Sequence, residues 1–272
     1  MKTVAAFVKN NSFVVFVVLA YLLSWWLVPL NAGMLPVGPL MAALLVVGLS
    51  EGKAGLKAWW SQLVRRSSDW RWYVVAAAIP LVITFIAAGL NVLLGAQLVA
   101  PIDWSMPFKI LPMMLIFSGM WEEPGWTGYA LPHLYKRFGP SPAGTLTATL
   151  IMAVIRTGWH LPLMLNGHIY WSDIVLVLAA QFIYTWLFNR TGGVVLAVML
   201  FHLLNNIVSG VFVGAWFTGT DWVQLSWLLA GLWSFLAVCL LLFNGAHLGR
   251  KQDVDSETRV PAFGTLNQGN RS

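Results

Sequence analysis

The sequence predicts an all-α, polytopic membrane protein with about eight transmembrane helices and both termini in the cytoplasm. Three observations support this prediction. Of the 272 residues, 58% are hydrophobic and 10% are charged, and the mean hydropathy is +0.73. The apolar residues gather into long runs, and the basic residues between these runs lie mostly on one predicted side. Soluble globular domains do not have this composition.

The apolar runs are the predicted spans, since a helix needs about 20 apolar residues to cross a bilayer. The first run is too long for a signal-peptide core and lacks a convincing cleavage site of small residues, so we interpret it as an uncleaved helix. In chain order the runs cover about 12–30, 35–50, 73–99, 109–134, 143–165, 172–189, 193–216 and 223–244.

The loops predict the orientation, because cytoplasmic segments retain Lys and Arg. With the N-terminus inside, fourteen of the sixteen basic residues fall in cytoplasmic segments. The outer loops LNAG, APIDWSMPF, NGHIYW and FTGTDW contain none. The net charge of +6 is thus explained by topology, and we expect no nucleic-acid partner. The segment EGKAGLKAWWSQLVRR after the second run predicts a basic helix on the inner membrane surface.

The chain divides into two predicted parts. Residues 1–245 form a single transmembrane helical domain, and residues 246–272 form a polar cytoplasmic tail that we expect to be disordered. The one cysteine, Cys239, lies in an apolar run, which excludes a disulfide framework and a cysteine-based metal site.

Ionisable residues inside the predicted spans mark the candidate site, because each costs about 2.5–3.5 kcal/mol on insertion scales. These residues lie in spans four, five and seven. Span six contributes two uncharged polar residues, Gln181 and Tyr184. The residues are Glu122 and Glu123 in span four, Arg156 and His160 in span five, and His202 with Asn205 and Asn206 in span seven.

Helical spacing brings some of these groups to common faces. His202 and Asn206 are four residues apart, as are Arg156 and His160, so each pair shares one face of its helix. Pro124 predicts a kink or restart directly after the Glu pair. Counted at about 1.5 Å per residue from the inner ends, Glu122, His160 and His202 lie at depths of about 18, 26 and 14 Å. Convergence on one site therefore requires tilted or broken helices.

The motifs resemble those of the CPBP intramembrane proteases, a family that includes the CAAX prenyl endopeptidases and bacterial proteins linked to bacteriocin immunity. The resemblance covers about residues 115–210 and rests on EEPGWTGYALPHLYKRFGP, WHLPL and TWLFNRTGGVVLAVMLFHLLNN. It implies that Glu122 and His160 activate water and that His202 and Asn206 bind the oxyanion or orient the substrate carbonyl. Glu123 would then have a supporting role.

The chain departs from the family pattern at two positions. Thr127 stands where the first motif has Arg, and Arg156 stands where the second has an aromatic residue. Two carboxylates without a cation would repel each other. We therefore hypothesise that Arg156 supplies the positive charge that Thr127 does not. The alternative is that the site has decayed and Arg156 pairs elsewhere.

The predicted function is an intramembrane endopeptidase that cleaves a membrane-associated peptide or protein. Carboxylate with imidazole suits activation of water, and no buried Ser or Cys is clearly paired with a His for a covalent route. The sequence is consistent with two alternatives, no cofactor or a zinc ion. The candidate zinc ligands are Glu122, His160 and His202. A non-catalytic binding or immunity protein is the main alternative, and a transporter is the third. We expect a multi-pass protein in contact with the lipid of a bacterial or archaeal cell membrane.

Overall fold

The computed structural model describes residues 2–30 and 33–250, which form helices and no strands. Most of the predicted tail, residues 251–272, lies outside the described residues. The α-helices are α1 (Lys2–Asn10), α2 (Ser12–Trp25), α3 (Gly38–Leu63), α4 (Arg71–Leu93), α5 (Met106–Phe117), α6 (Glu123–Gly125), α7 (Leu131–Phe138), α8 (Pro142–Trp159), α9 (Leu161–Leu165), α10 (Trp171–Arg190), α11 (Val195–Asn205) and α12 (Gly219–Asn244).

Tighter and wider turns extend several of these helices. The 3₁₀ turns are Val28–Leu30, Gly119–Glu122, Gly214–Trp216 and Gly245–His247, and the π-helical turns are Trp126–Ala130 and Asn206–Val213. Each π-helical turn contains a residue of the predicted site, Thr127 in the first and Asn206 in the second. This placement agrees with the tendency of π-helical turns to occur at functional sites.

Six helical segments within the described residues are long and apolar enough to cross a membrane: Ser12–Leu30, Gly38–Leu63, Arg71–Leu93, Trp171–Arg190, Val195–Trp216 and Gly219–His247. They match six of the eight predicted spans. The prediction of an all-helical, multi-pass membrane protein is confirmed. The count of eight and the cytoplasmic placement of both termini stay predictions.

The two remaining predicted spans contain the Glu pair and Arg156, and the structure explains why they differ. The run at 109–134 is divided at Ser118, whose backbone is extended (φ −82°, ψ 166°), so α5 ends there. The run at 143–165 contains α8, which ends at Trp159, and a short helix with Pro162 near its start follows. Neither run forms one long apolar helix, because each contains charged residues and a break.

Helix α3 is bent at Gly52, which has a positive φ of 67°. A residue with a side chain rarely adopts this conformation. The part before the bend packs along α2. The part after it carries the exposed Lys53 and Lys57 on one side and the buried Trp59 and Leu63 on the other. This second part is the segment for which the sequence predicts a basic, membrane-surface helix.

Helix α2 holds the end of α8 in place. The Tyr21 hydroxyl donates a hydrogen bond to the Ile155 carbonyl (2.6 Å), and the Trp25 indole Nε1 donates one to the Trp159 carbonyl (2.9 Å). These bonds flank Arg156, so they fix the turn that carries it. On the other side, α8 packs against α10, and α10 packs against α12.

Candidate functional site

The segment with the two carboxylates begins at a break in the helix. After the extended Ser118, the chain turns through Gly119–Glu122, α6 and the π-helical turn into α7. The sequence predicted this break at Pro124. A helix does restart there, since α6 begins at Glu123 with Pro124 near its start, where proline needs no amide hydrogen. The extended break lies earlier, at Ser118, and Glu123 itself has helical geometry (φ −65°, ψ −34°). Both carboxylates still follow closely on the start of a helical segment, where the helix dipole favours negative charge.

The segment packs closely against α3 through a glycine. A Cβ atom added at Gly125 would lie 2.4 Å from the Pro39 carbonyl oxygen, which is closer than non-bonded atoms approach. Glycine is therefore required where the two backbones meet. This contact covers the α6 turn and helps to exclude lipid from Glu122 and Glu123, whose exposed fractions are 4% and 0%.

The Glu123 carboxylate has partners on three sides. Arg156 Nη2 lies 2.5 Å from Oε1 and Nη1 lies 3.4 Å from Oε2. Thr127 Oγ1 donates a hydrogen bond to Oε2 (2.5 Å), and His202 Nδ1 lies 2.7 Å from Oε1. We call these four residues the ion cluster. A buried carboxylate needs this number of partners to offset the loss of its hydration.

Arg156 is itself enclosed by α10. Its guanidinium lies 4.3 Å from the centre of the Tyr184 ring, and its Nη1 donates to Gln181 Oε1 at 3.4 Å. Gln181 Nε2 in turn donates to Thr185 Oγ1 at 3.1 Å. Gln181 and Tyr184 appear in the sequence only as minor polar residues of span six, and Thr185 was missed there. Their spacing of three and four residues on one helix face is the signal that links them.

Glu122 has a different environment from Glu123. Its Oε2 lies 3.7 Å from Arg156 Nη2, and within the described part of the chain it accepts no hydrogen bond. Its other oxygen, Oε1, turns toward Gly119. The two adjacent carboxylates are therefore separated in role by geometry, because one is saturated with partners and the other retains acceptor capacity.

Three polar groups converge above Gly119. A Cβ atom built on Gly119 would lie 2.5 Å from His202 Nε2, 2.7 Å from Glu122 Oε1 and 2.9 Å from Asn206 Nδ2. We call this position the Gly119 point. The sequence-based depths separated Glu122 from His202 by several ångströms. The helix break at Ser118 brings them together. The point lies one bond length from the Gly119 Cα, so it marks the side of the glycine on which these three polar atoms come close together.

His160 lies at the end of α8 and is half-buried. Its Nδ1 lies 2.7 Å from the Arg156 carbonyl oxygen. A carbonyl can only accept, so Nδ1 carries the hydrogen and Nε2 of the neutral ring carries the lone pair. Among the described residues His160 forms no hydrogen bond with Glu122. The structure thus joins Glu122, His202 and Asn206 at one point and leaves His160 linked to the site through Arg156.

The described residues do not gather the three candidate zinc ligands into one metal-binding group, and the choice between zinc and no cofactor stays a prediction. Within residues 2–30 and 33–250, no group of three or more His, Cys, Asp or Glu side chains is arranged to hold a metal ion. Among the described residues, the nearest cationic group to Glu122 is the Arg156 guanidinium. A guanidinium beside the carboxylate takes the electrostatic place of a bound cation.

Comparisons with known proteins agree with the motifs. Residues 104–208 match the family described as Type II CAAX prenyl endopeptidase Rce1-like. The protein named CAAX prenyl protease 2 from the archaeon Methanococcus maripaludis is 23% identical over 117 residues, which is 39% of this chain and 41% of that relative. The chain thus matches less than half the length of this relative. The family match over residues 104–208 includes every residue of the ion cluster and of the Gly119 point, so the resemblance found in the sequence is confirmed.

Proposed function

We propose that this member of the CPBP and CAAX protease family is an intramembrane endopeptidase that uses a water molecule activated by Glu122. The observation that supports it best is the Gly119 point, where Glu122 Oε1, His202 Nε2 and Asn206 Nδ2 come within 2.9 Å of one position. Hydrolysis of a peptide bond requires a base for water and donors for the oxyanion near the same carbon. These three side chains supply both.

Glu122 is the base in this proposal. Its Oε1 faces the Gly119 point and its Oε2 accepts no hydrogen bond from the described residues, so the carboxylate can accept a proton from water. His160 assists through the lone pair on Nε2, because its Nδ1 is bound to the Arg156 carbonyl. The proton taken from water is then available for the leaving amine.

His202 and Asn206 stabilise the developing oxyanion. The amide Nδ2 of Asn206 forms no hydrogen bond within the described chain and is directed at the Gly119 point. His202 Nδ1 is bound to the Glu123 carboxylate at 2.7 Å, and this contact orients its Nε2 toward the Gly119 point. Arg156 balances the charge of Glu123, so that the carboxylate orients His202 without acting as a second base.

The proposed substrate is a membrane-associated peptide or protein segment. The archaeal relative carries a name that refers to CAAX prenyl proteins, and the lipid-anchored end of such a protein is one substrate of this class. A peptide that lies at the membrane without a prenyl group fits the site chemistry equally well. The three described side chains at the Gly119 point are all polar.

Glu122→Gln tests the proposal, because it preserves the shape of the side chain and removes the base. We expect purified protein to cleave members of a membrane-peptide library and the variant to lose at least about 1,000-fold in rate. Glu51→Gln is the matched control, since Glu51 is a half-buried carboxylate in α3 outside the ion cluster and the Gly119 point. Full cleavage by Glu122→Gln would contradict the proposal.

Chelation tests the role of metal in the same assay. Because the Arg156 guanidinium already places a positive charge 3.7 Å from Glu122 Oε2, we expect cleavage to survive a strong chelator and purified protein to contain no stoichiometric zinc. Loss of cleavage on chelation, with recovery on addition of zinc, would contradict a glutamate-dependent site.

A second candidate function is a non-catalytic binding protein with the same fold. The observation that favours it is the pair of departures from the family motifs, Thr127 and Arg156. The two functions separate in Glu122→Gln, because a binding role survives a substitution that preserves shape and cleavage does not. Co-purification of a bound peptide with both wild type and variant, without cleavage by either, would favour binding.

A further inference from the structure

A cavity lies where α10 and α12 end, and none of its lining residues belongs to the ion cluster or the Gly119 point. Its volume is about 690 Å³ and it is open to the surface. Its lining consists of Arg190, Phe243, Asn244, Gly245, His247, Gly249 and Arg250. Two guanidinium groups and an imidazole thus line the cavity with no carboxylate among them. A cavity with this charge pattern favours an anionic ligand.

The loop that forms the cavity wall is fixed in an unusual conformation. Leu248 is the one described residue other than glycine with a positive φ (46°), and its side chain is fully buried. Asn189 Nδ2 donates to the carbonyl oxygens of His247 (3.3 Å) and Leu248 (3.2 Å), and the Tyr135 hydroxyl donates to Asn189 Oδ1. A strained backbone persists only where its surroundings hold it. The cavity is therefore a built feature of the fold.

Arg250 is anchored at the rim of the cavity. Its Nη1 donates to the Gly139 carbonyl oxygen (3.2 Å) and to Thr145 Oγ1 (3.4 Å), and its guanidinium lies 4.0 Å from the centre of the Tyr135 ring. These contacts hold the charge in place and leave its other guanidinium nitrogens free to donate.

Arg190 lies opposite and has no hydrogen-bond partner among the described residues. Its guanidinium lies 5.6 Å from the centre of the Trp72 ring, so stacking holds the side chain. Gly249 gives it room, because a Cβ added there would lie 2.4 Å from Arg190 Cδ. An arginine whose donors are held in position but unused is suited to a phosphate, which the planar guanidinium binds through two parallel hydrogen bonds.

The cavity also opens beside an apolar surface. Phe243 lines it and is 87% exposed, and the adjacent Leu242 is 76% exposed. Both belong to the last turns of α12, which is one of the candidate membrane spans. In a bilayer this surface faces the acyl chains of lipid. Basic side chains therefore meet an apolar wall at the end of a transmembrane helix.

We propose that this cavity binds the headgroup of an anionic phospholipid. The phosphate accepts hydrogen bonds from Arg190 and Arg250, and an acyl chain lies along Phe243 and Leu242. Inorganic phosphate shares the anionic chemistry but gains nothing from the apolar wall, so the lipid is the ligand that fits the whole site. Basic pockets between transmembrane helices on the cytoplasmic side commonly hold such headgroups. The site is independent of peptide cleavage.

The test is thermal unfolding of the purified full chain in a neutral detergent with three additions. These are short-chain phosphatidylglycerol, short-chain phosphatidylcholine and inorganic phosphate. We expect phosphatidylglycerol to raise the unfolding midpoint in a saturable way, because a ligand that binds only the folded state stabilises it. The other two additions should leave the midpoint unchanged. An equal rise with phosphatidylcholine or with inorganic phosphate would overturn the proposal.

Arg190→Gln locates the site, with Arg66→Gln as the matched control. Both residues are exposed, and both variants lose one charge. We expect the apparent affinity for phosphatidylglycerol to fall about tenfold in Arg190→Gln, the loss of a charge-assisted hydrogen bond, and to stay at the wild-type value in Arg66→Gln. If Arg190→Gln unfolds early without lipid, Arg190→Lys keeps the charge and should weaken binding several-fold. Wild-type affinity in the variant with unchanged lipid-free stability overturns the proposal.

Discussion

The ion cluster and the Gly119 point contain neighbouring carboxylates in opposite situations. Glu123 contacts a guanidinium, an imidazole and a hydroxyl, whereas Glu122 keeps an oxygen with no hydrogen bond among the described residues. Adjacent residues of one helix project about 100° apart, so the same backbone directs them to different surroundings. The comparison indicates that one carboxylate stabilises the arrangement and the other is left free for chemistry.

Arg156→Ala should give the largest effect on the ion cluster. It leaves Glu123 buried without its cation, and removal of one partner of a buried ion pair costs about 3–5 kcal/mol. We expect the free energy of unfolding to fall by that amount, measured by denaturant titration in detergent. Thr127→Arg in the same background returns a cation four residues from Glu123 and should recover much of the loss. An Arg156→Ala protein as stable as wild type would show that the cluster is not held by this pair.

Gly119→Ala should act first on the Gly119 point. The new methyl group would occupy the position where Glu122, His202 and Asn206 converge. We expect the cleavage rate to fall about 100-fold, the effect of a displacement of about 1 Å in a reactive geometry, and the free energy of unfolding to fall by about 1–3 kcal/mol because the site is overpacked. Gly231→Ala in α12 is the control, because a Cβ there meets no atom within 4 Å. Equal rates for the two variants would contradict the assignment of the reaction to this point.

Tyr184→Leu should have the smallest effect on stability. Its comparison with Tyr184→Phe separates the contribution of the ring from that of the hydroxyl. Loss of the ring under the Arg156 guanidinium should cost about 1–2 kcal/mol of stability at this buried position. Tyr184→Phe keeps the ring and should unfold at the wild-type midpoint in a thermal melt. If Tyr184→Phe is as unstable as Tyr184→Leu, the hydroxyl and not the ring supports Arg156.

The sequence predicts the helical membrane fold because apolar runs and loop charges are local properties that a bilayer imposes directly. It also places Glu122, Glu123 and His202 in the candidate site, since ionisable groups in apolar runs are conspicuous. The convergence at Gly119 is not visible in the sequence. It depends on the extended conformation of Ser118, whereas Pro124 gives the stronger local signal for a break.

The separation of the two carboxylates was also beyond the sequence. Spacing shows that Glu122 and Glu123 cannot share one direction, but Arg156, Tyr184 and Gln181 come from α8 and α10, and their contacts depend on how the helices pack. The predicted count of eight spans depends on packing in the same way. The chain around the site is divided into short pieces, and hydropathy detects long helices.

The bend at Gly52 gives α3 two points of attachment to one short segment. Before the bend, the Pro39 backbone lies against Gly125. After it, Trp59 Nε1 donates a hydrogen bond to the Gly128 carbonyl oxygen at 3.3 Å. The segment between Gly125 and Gly128 is thus in contact with both parts of α3, and the second part of α3 carries the basic, amphipathic surface. If this amphipathic part moves relative to the membrane, the bend at Gly52 lets it turn against the first part of α3. Its contact with Gly128 then transmits the movement to the turn that follows the two carboxylates.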